Sequence, residues 1–334
     1  MQQRLSGLLM ELIFFLSVTA LLLCAVYFYC FRMPGKSFHG DLPALSEEMQ
    51  ALSTRLNEHV RVLSEEIGER HYKKMDALNR AADYIETQFQ SFRYVPKSQP
   101  VNGKVFRNIV VDLYGKQYRD NIIVIGAHYD SVWMTPGADD NASGVAALLE
   151  IAGALAGKQL PITIRFVAFV NEEEPFFGGS DMGSGFSAKR SNEQNENIIG
   201  MFSLEMVGYY DDAPRSQDYP RPLRYFYPDR GNFIAFVSNL VSRKFLTTAV
   251  SAFREHAKFP SEGLAAPEMI VPDIRRSDNV SYWAYGYPAV MVTDTSNYRN
   301  WNYHNIGDTR QTLDYDRMAR VVSGLTDMIE ALAH

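Results

Sequence analysis

The sequence predicts an α/β fold, in which helices cover both faces of a mostly parallel central sheet and one N-terminal transmembrane helix precedes the domain. Apolar strands alternate with amphipathic helices from Phe106 onward, the pattern of a parallel sheet with helices packed on both faces. Several of these strands lead into histidine or carboxylate residues. Near the amino terminus, an uncharged apolar stretch is long enough to cross a bilayer.

The composition is that of an ordinary globular protein. The chain has 334 residues, of which 46% are hydrophobic and 22% are charged, enough for one large α/β domain and an appendage. Its net charge of -6 gives no support for a nucleic-acid partner, which usually requires a basic face. Both cysteines, Cys24 and Cys30, lie in the apolar stretch, so the domain itself has neither a disulfide nor a cysteine nucleophile.

The apolar stretch from Leu12 to Phe31 carries no charge and has the length of a membrane-spanning helix. Tyr27 and Tyr29 near its end suit the aromatic belt of a membrane interface. A buried core helix would normally keep a polar stripe, and a cleaved signal peptide would end at a small-x-small site, which does not follow here. We therefore interpret residues 12–31 as an uncleaved anchor.

The charges that flank the anchor say little about its orientation. Arg4 precedes it, and Arg32 and Lys36 follow it, so the positive-inside rule only weakly indicates which side of the membrane the domain lies on. A single N-terminal anchor most often leaves its short end in the cytoplasm. We therefore expect a single-pass membrane protein whose domain lies on the extracytoplasmic side, periplasmic or extracellular. The expected segments are 1–34 for a cytoplasmic stub and anchor, 35–44 for a linker and 45–334 for the domain.

The periodicity of the apolar residues predicts the elements of the domain. Helical patterns occupy Leu45–Glu66, His71–Phe92, Ser143–Ala156, Gly231–Arg243, the vicinity of Ser277–Ala284, and Tyr315–Ala331. Apolar strands occupy Asn108–Leu113, Ile122–Ala127, Ile162–Val170, Ile198–Leu204 and Ala289–Thr293. The segment Tyr209–Arg230 fits neither period and is expected to be a long loop. His59 and His71 lie among charged helical residues and are expected at the surface.

Four of the predicted strands lead into residues of the kind that bind metal ions. These residues are His128 with Asp140 after it, Glu172 and Glu173, Glu205 and, through a loop, His304. Open α/β sheets bind ligands beyond the carboxyl ends of their strands, so we expect these side chains to meet at one edge. Imidazole and carboxylate groups suit a cation such as zinc. Glu205 also lies in an apolar run, where an unpaired carboxylate would be costly.

Each of these residues has a structural alternative when it is considered alone. The pair Asp139–Asp140 would be a turn, the run Glu172–Glu174 a solvated charge cluster, and His304 an ordinary loop residue. The spacing of His128 and Asp130 favours a site, because residues two apart share one face of a strand. Asp130 could then hold the far nitrogen of a metal-bound imidazole.

The order of the motifs HYD, ADDNASG, FVNEE, SLEMVGY, RRSDN and YHNIGDT resembles that of the co-catalytic zinc aminopeptidases of metallopeptidase family 28. The likeness extends roughly from Gly68 to the carboxyl terminus. The same family contains glutaminyl cyclases and glutamate-carboxypeptidase-like enzymes. Because all six motifs occur in order, the resemblance is specific.

The resemblance implies a site with two zinc ions. The implied ligands are His128 and Glu205 for one ion, Glu173 and His304 for the other, and Asp140 as the bridge between them. Glu172 would be the general base, Asp130 would stand behind the first histidine, and Asp278 would support the site. Asn279 stands where the family has a histidine, so no role is transferred to it.

Two departures from the family pattern bear on these roles. The family often has aspartate at the position of Glu205, and glutamate is one methylene longer. The FVNEE motif continues with Glu174-Pro175-Phe176-Phe177 in place of the usual Gly-Leu stretch. The extra carboxylate leaves open a shift of one residue in the assignment of base and ligand, although the spacing from Phe169 favours Glu172 and Glu173.

The implied function is that of a zinc-dependent exopeptidase, an aminopeptidase, which hydrolyses N-terminal peptide bonds with a two-metal-activated water and a glutamate base. Segment 45–334 would then be a dizinc peptidase domain. Its partners would be peptides with a free N-terminus and the lipid bilayer. No pattern in the sequence indicates an oligomeric state. Tyr303, next to His304, would either donate a hydrogen bond to the reacting group or serve structure alone.

Three alternative functions stay open. A glutaminyl cyclase-like acyltransferase on the same fold would use a single zinc ion, which the complete ligand set argues against. A catalytically silent membrane-anchored scaffold typically loses ligands, and none is missing here. A carboxypeptidase would need a basic cluster for the substrate's terminal carboxylate, to which Arg275, Arg276 or Arg299 could contribute. Phe176 and Phe177, with tyrosines of the long loop, are candidates for an apolar substrate pocket.

Overall fold

A mixed eight-stranded sheet lies at the centre of the computed structural model, which describes residues 2–101, 103 and 105–334. Met1 of the predicted segment 1–34, and Asn102 and Lys104 of the predicted segment 45–334, lie outside the described residues. The strands are β1 Lys97–Val101, β2 Phe106–Leu113, β3 Tyr118–His128, β4 Ile162–Phe169, β5 Asn197–Glu205, β6 Ile234–Asn239, β7 Ser261–Ala266 and β8 Ala289–Thr293. Their spatial order is β1-β2-β4-β3-β5-β8-β6-β7.

The centre of the sheet is parallel and its flanks are not. Strands β4, β3, β5 and β8 run parallel to one another, whereas β1 and β2 are antiparallel additions beside β4. The connection from Val101 to Phe106 is too short for a parallel crossover, so these two strands form a hairpin. Strands β6 and β7 are parallel to each other and antiparallel to β8. The predicted α/β class is confirmed, with antiparallel strands at the margins.

Helices cover both faces of the sheet, as the sequence predicts. The helices are α1 Gln2–Cys30, α2 Glu47–Arg61 with a π-helical continuation Val62–Ile67, α3 Met75–Ser91, α4 Gly144–Leu155, α5 Gly183–Glu193, α6 Arg243–His256, α7 Asn279–Trp283 and α8 Tyr315–Leu332. Helices α2, α3, α4, α6 and α8 bury the larger apolar core, which includes Ile123 and Ile125 of β3. Helices α5 and α7 bury the smaller core against Ile122 and Val124 of the same strand. The alternation along β3 is the period of two expected of a strand covered on both faces.

Helix α1 is long and apolar enough to cross a membrane. The most apolar window of Met10–Cys30 has a mean hydropathy of 2.3, and none of that window is buried. This exposure is unlike that of a core helix in a soluble domain, whereas an N-terminal signal sequence would have the same properties.

The predicted helix at Gly231–Arg243 is wrong. This segment forms β6, and α6 begins only at Arg243. The apolar run here is short, and a run of that length fits a buried strand as well as a helix. Asn239 ends the strand and accepts a hydrogen bond from the backbone N–H of Ser242, which sets the start of α6. The sequence also gave no signal for the edge strands β1 and β7, which contain Pro100 and Gly263, residues that weaken a strand pattern.

The expectation of surface positions for His59 and His71 is also wrong, because both side chains are buried. His59 lies between the Tyr84 hydroxyl, 2.7 Å from Nδ1, and the Glu150 carboxylate, 3.1 Å from Nε2. Glu150 belongs to the otherwise apolar helix α4, so this histidine satisfies a buried carboxylate. The remaining predicted helices and strands are present with shifted ends, and Tyr209–Arg230 contains only a short 3-10 turn, Leu223–Tyr225.

Candidate metal centre

The carboxyl ends of the four parallel strands bring the predicted ligands to one edge of the sheet. His128 is the last residue of β3, and Glu205 is the last residue of β5. Glu172 and Glu173 follow the end of β4, which pairs with the end of β3. His304 arrives on the loop after β8. These side chains therefore lie beyond the carboxyl ends of the strands, where open α/β sheets bind their ligands.

Three overlapping groups of side chains could hold a metal ion: His128 with Glu172 and Glu173, His128 with Asp140 and Glu205, and His304 with Asp140 and Glu173. The last two groups share Asp140 and are called the first and the second group below. In the first group, Nε2 of His128 lies 3.3 Å from Oδ1 of Asp140 and 3.4 Å from Oε2 of Glu205. In the second, Nε2 of His304 lies 3.1 Å from Oδ2 of Asp140 and 3.4 Å from Oε2 of Glu173. Each oxygen of the Asp140 carboxylate thus faces a different group, which is the arrangement of a bridging ligand.

These distances fit metal ions between the side chains. Ligand atoms about 2.0–2.1 Å from a tetrahedral zinc ion lie about 3.3 Å from one another, close to the separations in both groups. Neither ring nitrogen of His128 has a hydrogen-bond partner, although the side chain is fully buried, and Oε1 of Glu173 is buried without one as well. Buried polar atoms normally have partners, so a cation would complete this site.

The electrostatics of the cluster lead to the same conclusion. Burial raises the pKa of Glu172 well above its usual range and that of Glu173 to about 7. Burial alone would lower the pKa of His304, but the carboxylates of Asp140 and Glu173 raise it to about 10. Burial alone would raise the pKa of Asp140, yet its contacts with His128 and His304 lower it. Without a metal ion, protons on these groups offset the crowded negative charge.

The family follows from a match over most of the domain. A model described as peptidase family M28 matches residues 108–329. The chain belongs to this family. The Escherichia coli (strain K12) protein named uncharacterized protein YfbL is 40% identical over 296 residues, which cover 85% of this chain and 90% of that protein. A probable zinc metalloprotease of Pyricularia oryzae is 28% identical over 246 residues, 64% of this chain and 47% of that protein, so the match spans about half of that relative.

Solved structures share the M28 fold. BSAP, a zinc aminopeptidase from Bacillus subtilis, has a TM-score of 0.65 at 15% identity, and the match covers 84% of this chain and 95% of that one. A glutaminyl cyclase from Tannerella forsythia has a TM-score of 0.59 at 19% identity, and the match covers 86% of this chain and 99% of that one. At these identities the similarity establishes the fold alone.

In the M28 domain of this chain, Asp130 joins the two sides of the centre. Its Oδ1 lies 3.5 Å from Nδ1 of His128, on the side of the ring away from the ligand group. Its two oxygens also accept hydrogen bonds from the backbone N–H groups of Glu172 and Glu173, both at 3.1 Å. One carboxylate therefore orients an imidazole and fixes the backbone of the next two candidate residues. This is the location that the sequence predicts for Asp130.

Serine hydroxyls orient the other end of the first group. Ser277 donates a hydrogen bond of 2.7 Å to Oε2 of Glu205, and its hydroxyl lies 2.6 Å from that of Ser203. Asp278 follows Ser277 and is fully buried, and burial raises its pKa to about 7. Asn279 instead donates to the carbonyl of Ile274, which is a structural contact.

The adjacent carboxylate Glu174 is exposed, whereas Glu172 and Glu173 are buried in the cluster. Oε2 of Glu172 lies 3.9 Å from Nε2 of His128, farther than the 3.3 and 3.4 Å that separate this nitrogen from Asp140 and Glu205. Glu172 and Glu173 thus both face the cluster, and Glu174 does not. The assignment of Glu172 as base and Glu173 as ligand stays a prediction.

Sequence reasoning missed two residues that hold the loops of the M28 site. Asp308 accepts hydrogen bonds from the backbone N–H groups of Asp139 and Asp140, at 2.8 and 3.1 Å. The fully buried guanidinium of Arg70 donates to the carbonyls of Leu63, Gly68, Tyr129, Pro136 and Gly137. Asp308 belongs to the YHNIGDT motif and could have been found there. Arg70 lies in a charged segment whose pattern gives no signal of burial.

An apolar pocket of about 770 Å³, including its opening, lies next to the centre. Tyr219, Leu223 and Tyr227 of the long loop line it, as expected for the tyrosines of this loop. Neither Phe176 nor Phe177 is among its lining residues. The ring of Phe176 instead packs against those of Tyr72 and Phe106, at 5.1 and 5.5 Å.

The arginines considered for a substrate carboxylate already have partners. Arg299 is buried and donates to the carbonyls of Tyr209 and Phe233. Arg276 donates to the Tyr303 hydroxyl at 2.9 Å, and Arg275 lies 3.4 Å from a glutamate. The ring of Tyr303 stacks on that of His304 with centroids 3.8 Å apart. Its hydroxyl accepts a bond from an arginine, so the donor role considered for Tyr303 is compatible with its position.

Proposed function

We propose that this chain is a membrane-anchored aminopeptidase that uses two zinc ions and Glu172 as the general base. The observation that carries the proposal is the Asp140 carboxylate, each of whose oxygens faces a separate group of ligand atoms. A single metal site would not need this arrangement. In a site with two ions about 3.5–4 Å apart, one carboxylate can bind both ions through its two oxygens.

We assign the residues to two ions according to the two groups that share Asp140. His128 and Glu205 would hold one ion, His304 and Glu173 the other, and Asp140 both. When bound, the ions would supply Lewis acidity, which lowers the pKa of a water molecule and withdraws electrons from a substrate carbonyl. The Ser277 hydroxyl and the Asp130 carboxylate hold their ligand partners in place.

Glu172 is suited to move the proton. It is buried beside His128, with Oε2 3.9 Å from Nε2 of that ring, so its carboxylate would face a water molecule held at the centre. The hydrogen bond from its backbone N–H to Asp130 fixes its position. Glu172 would take the proton of the attacking water and then pass it to the leaving amine. The carboxylates at this edge would attract a substrate with a cationic N-terminus. A substrate's terminal carboxylate would need a basic partner, and Arg276 and Arg299 already donate hydrogen bonds within the chain.

The proposal includes the membrane arrangement. Residues 1–34 would be the cytoplasmic stub and anchor, 35–44 a connecting segment and 45–334 the dizinc peptidase domain outside the cytoplasm. The exposed apolar helix α1 supports an anchor. Peptides with a free N-terminus would be the substrates.

The test uses the full chain in detergent, loaded with zinc. We expect it to hydrolyse a short peptide with a free N-terminus and to leave the same peptide intact when the N-terminus is acetylated. Replacing Glu172 with Gln keeps the shape of the side chain and removes the base, so the rate should fall by a factor of about 10²–10⁴ while zinc binding persists. Cleavage of the acetylated peptide would contradict an aminopeptidase. Conversion of an N-terminal glutamine without peptide cleavage would favour the cyclase.

A further inference from the structure

The last turn of helix α1 is fixed to the domain. Arg243, the first residue of α6, donates hydrogen bonds to the backbone carbonyls of Phe28 and Tyr29. Its guanidinium also lies over the Tyr29 ring, 4.5 Å from the centroid. The ring of Phe31 packs on that of Phe226, with centroids 4.5 Å apart. The helix is therefore attached where it leaves the domain.

The segment after the helix runs along the edge strand β7. Met33 is buried, and its side chain occupies the place where a side chain at Gly263 would lie, 2.6 Å from the Cβ position. The carbonyl of Pro34 accepts a hydrogen bond of 3.1 Å from Arg254, and the Ser37 hydroxyl accepts one of 2.9 Å from the backbone N–H of Ser261. These contacts hold the predicted linker at its start. The helix thus has a fixed direction relative to the domain.

Exposed apolar side chains surround the point where the helix leaves. We call the set Tyr225, Phe226, Val241, Met269 and Ile270 the membrane-proximal patch. Met269 is 97% exposed and Val241 is 81% exposed. Val241 lies two residues before the helix contact at Arg243. The loop of Met269 is tied to the end of β6 by the hydrogen bond from Asn239 to Glu268, 3.2 Å.

The two loops of the patch that follow β6 and β7 lie at the edge of the sheet opposite the metal centre. Glu205 pairs with Thr293 of β8, and Thr293 pairs with Ala235 of β6. Because β6 is antiparallel to β8, it runs from the metal edge to the far edge and ends there at Asn239. Four residues of strand separate Ala235 from Asn239, about 13 Å. The loops that carry Val241 and Met269 leave from this far edge.

We infer that the membrane-proximal patch rests on the bilayer surface and turns the catalytic edge toward the water. The inference depends on the proposed anchoring of α1. Continuity with the span selects the bilayer as occupant, because the patch begins where the apolar helix ends. Guanidinium groups lie over aromatic rings of the patch and of the adjoining helix: Arg224 is 5.1 Å from the ring of Tyr225, and Arg32 is 5.3 Å from that of Phe28 in α1. Aromatic and apolar groups with adjacent arginines are the composition of protein segments at a lipid headgroup layer.

This orientation has a consequence for substrate choice. The metal centre would open away from the lipid, so peptides dissolved in the aqueous compartment would reach it and membrane-embedded chains would not. The apolar patch would serve membrane contact and not substrate binding.

Spin labels measure this orientation in the full chain, reconstituted into vesicles of phosphatidylcholine and phosphatidylglycerol. One label replaces Met269 (Met269→Cys) in a background without Cys24 and Cys30 (Cys24→Ala and Cys30→Ala). Native Cys24, exposed on the helix, is the reference for the hydrocarbon in Cys30→Ala alone. Trp301→Cys, 86% exposed beside the metal centre, is the aqueous reference. The measured quantity is the ratio of accessibility to oxygen over that to a nickel chelate.

We expect the label at Met269 to give a ratio several-fold above that at Trp301 and below that at Cys24. Equal ratios at Met269 and Trp301, together with a hydrocarbon-like ratio at Cys24, would show that the patch does not contact the bilayer although α1 is anchored in it. A water-like ratio at Cys24 would overturn the anchor and the patch together. Val241→Cys repeats the test from the second loop if Met269→Cys does not fold.

Discussion

At the scale of the residue, the centre depends on carboxylates that do not contact substrate. Asp130 touches His128 and holds the backbone of Glu172 and Glu173. Its charge makes the far side of the imidazole a good hydrogen-bond donor and leaves the near nitrogen free to bind a metal ion. The same carboxylate accepts a hydrogen bond from the backbone N–H of the proposed base, Glu172, so under the proposal it would affect both metal binding and proton transfer.

Replacing Asp130 with Asn should therefore weaken both metal binding and proton transfer. We expect zinc affinity and the rate of peptide hydrolysis each to fall by about 10–100-fold, the usual effect of losing a group behind a metal-binding histidine. Competition with a chelator measures the affinity. Asp76→Asn, at a carboxylate that is 92% exposed, is the matched control and should change neither quantity. Unchanged zinc affinity in Asp130→Asn would remove Asp130 from the site.

The titration of the centre predicts how zinc stabilises the fold at different pH. The pKa of Glu173 rises from 4.5 to about 7, and that of His304 rises from 6.5 to about 10. The folded, metal-free protein thus binds more protons than the unfolded chain, and it loses stability as pH rises from 4.5 to 7 and from 6.5 to 10. Zinc competes with these protons, so its stabilising effect should grow with pH.

Thermal unfolding of the full chain, with zinc and with a chelator, measures this effect. We expect the zinc-induced rise in Tm to be larger at about pH 8 than at about pH 6. The chelated protein alone should be less stable at the higher pH. A rise in Tm that is the same at both pH values would mean that zinc binds elsewhere.

At the scale of the element, Arg70 connects the segment after α2 with the loop after β3. Its guanidinium is buried and donates to five backbone carbonyls. Burial lowers the pKa of Arg70 to about 10, so the side chain stays charged at neutral pH. Replacing it with Met should lower the free energy of unfolding by about 3 kcal/mol or more, because buried carbonyls lose a charged partner.

Denaturant unfolding of Arg70→Met, compared with Arg80→Met, tests this role. Arg80 is half exposed and pairs with Asp76 on the same helix, so its loss should cost less than about 1 kcal/mol. Equal effects of the two substitutions would show that the carbonyl contacts of Arg70 do not support the loop.

The elements that carry the centre could be predicted because their sequence signals are local. Long apolar runs end at His128 and Glu205, and the strand rule places those ends together. The sequence predicts a helix in place of strand β6 because the strand's short apolar run fits the period of a strand as well as that of a helix. The contributions of Arg70 and Asp308 depend on contacts between segments far apart in the chain, and no local pattern encodes them.

At the scale of the whole molecule, the direction of the strands separates the candidate metal centre from the exit of helix α1. The parallel strands end at the metal centre, and the antiparallel β6 and β7 end near the exit of helix α1. Under the proposals above, the antiparallel attachment of β6 to β8 gives the domain one edge for chemistry and the other for the membrane. The sequence could predict the helix and the ligands, but the opposition of the two edges appears only in the strand order.

The central claim is that Asp140 bridges two zinc ions, and the count of zinc per chain tests it most directly. Elemental analysis of the full chain, after zinc loading and removal of free metal, should give two ions for the wild type. His304→Ala should retain one ion, since the group of His128, Asp140 and Glu205 remains complete. Asp140→Ala should retain fewer zinc ions per chain than the wild type and fewer than His304→Ala. A wild-type chain that binds one ion, or none, would contradict the two-metal site.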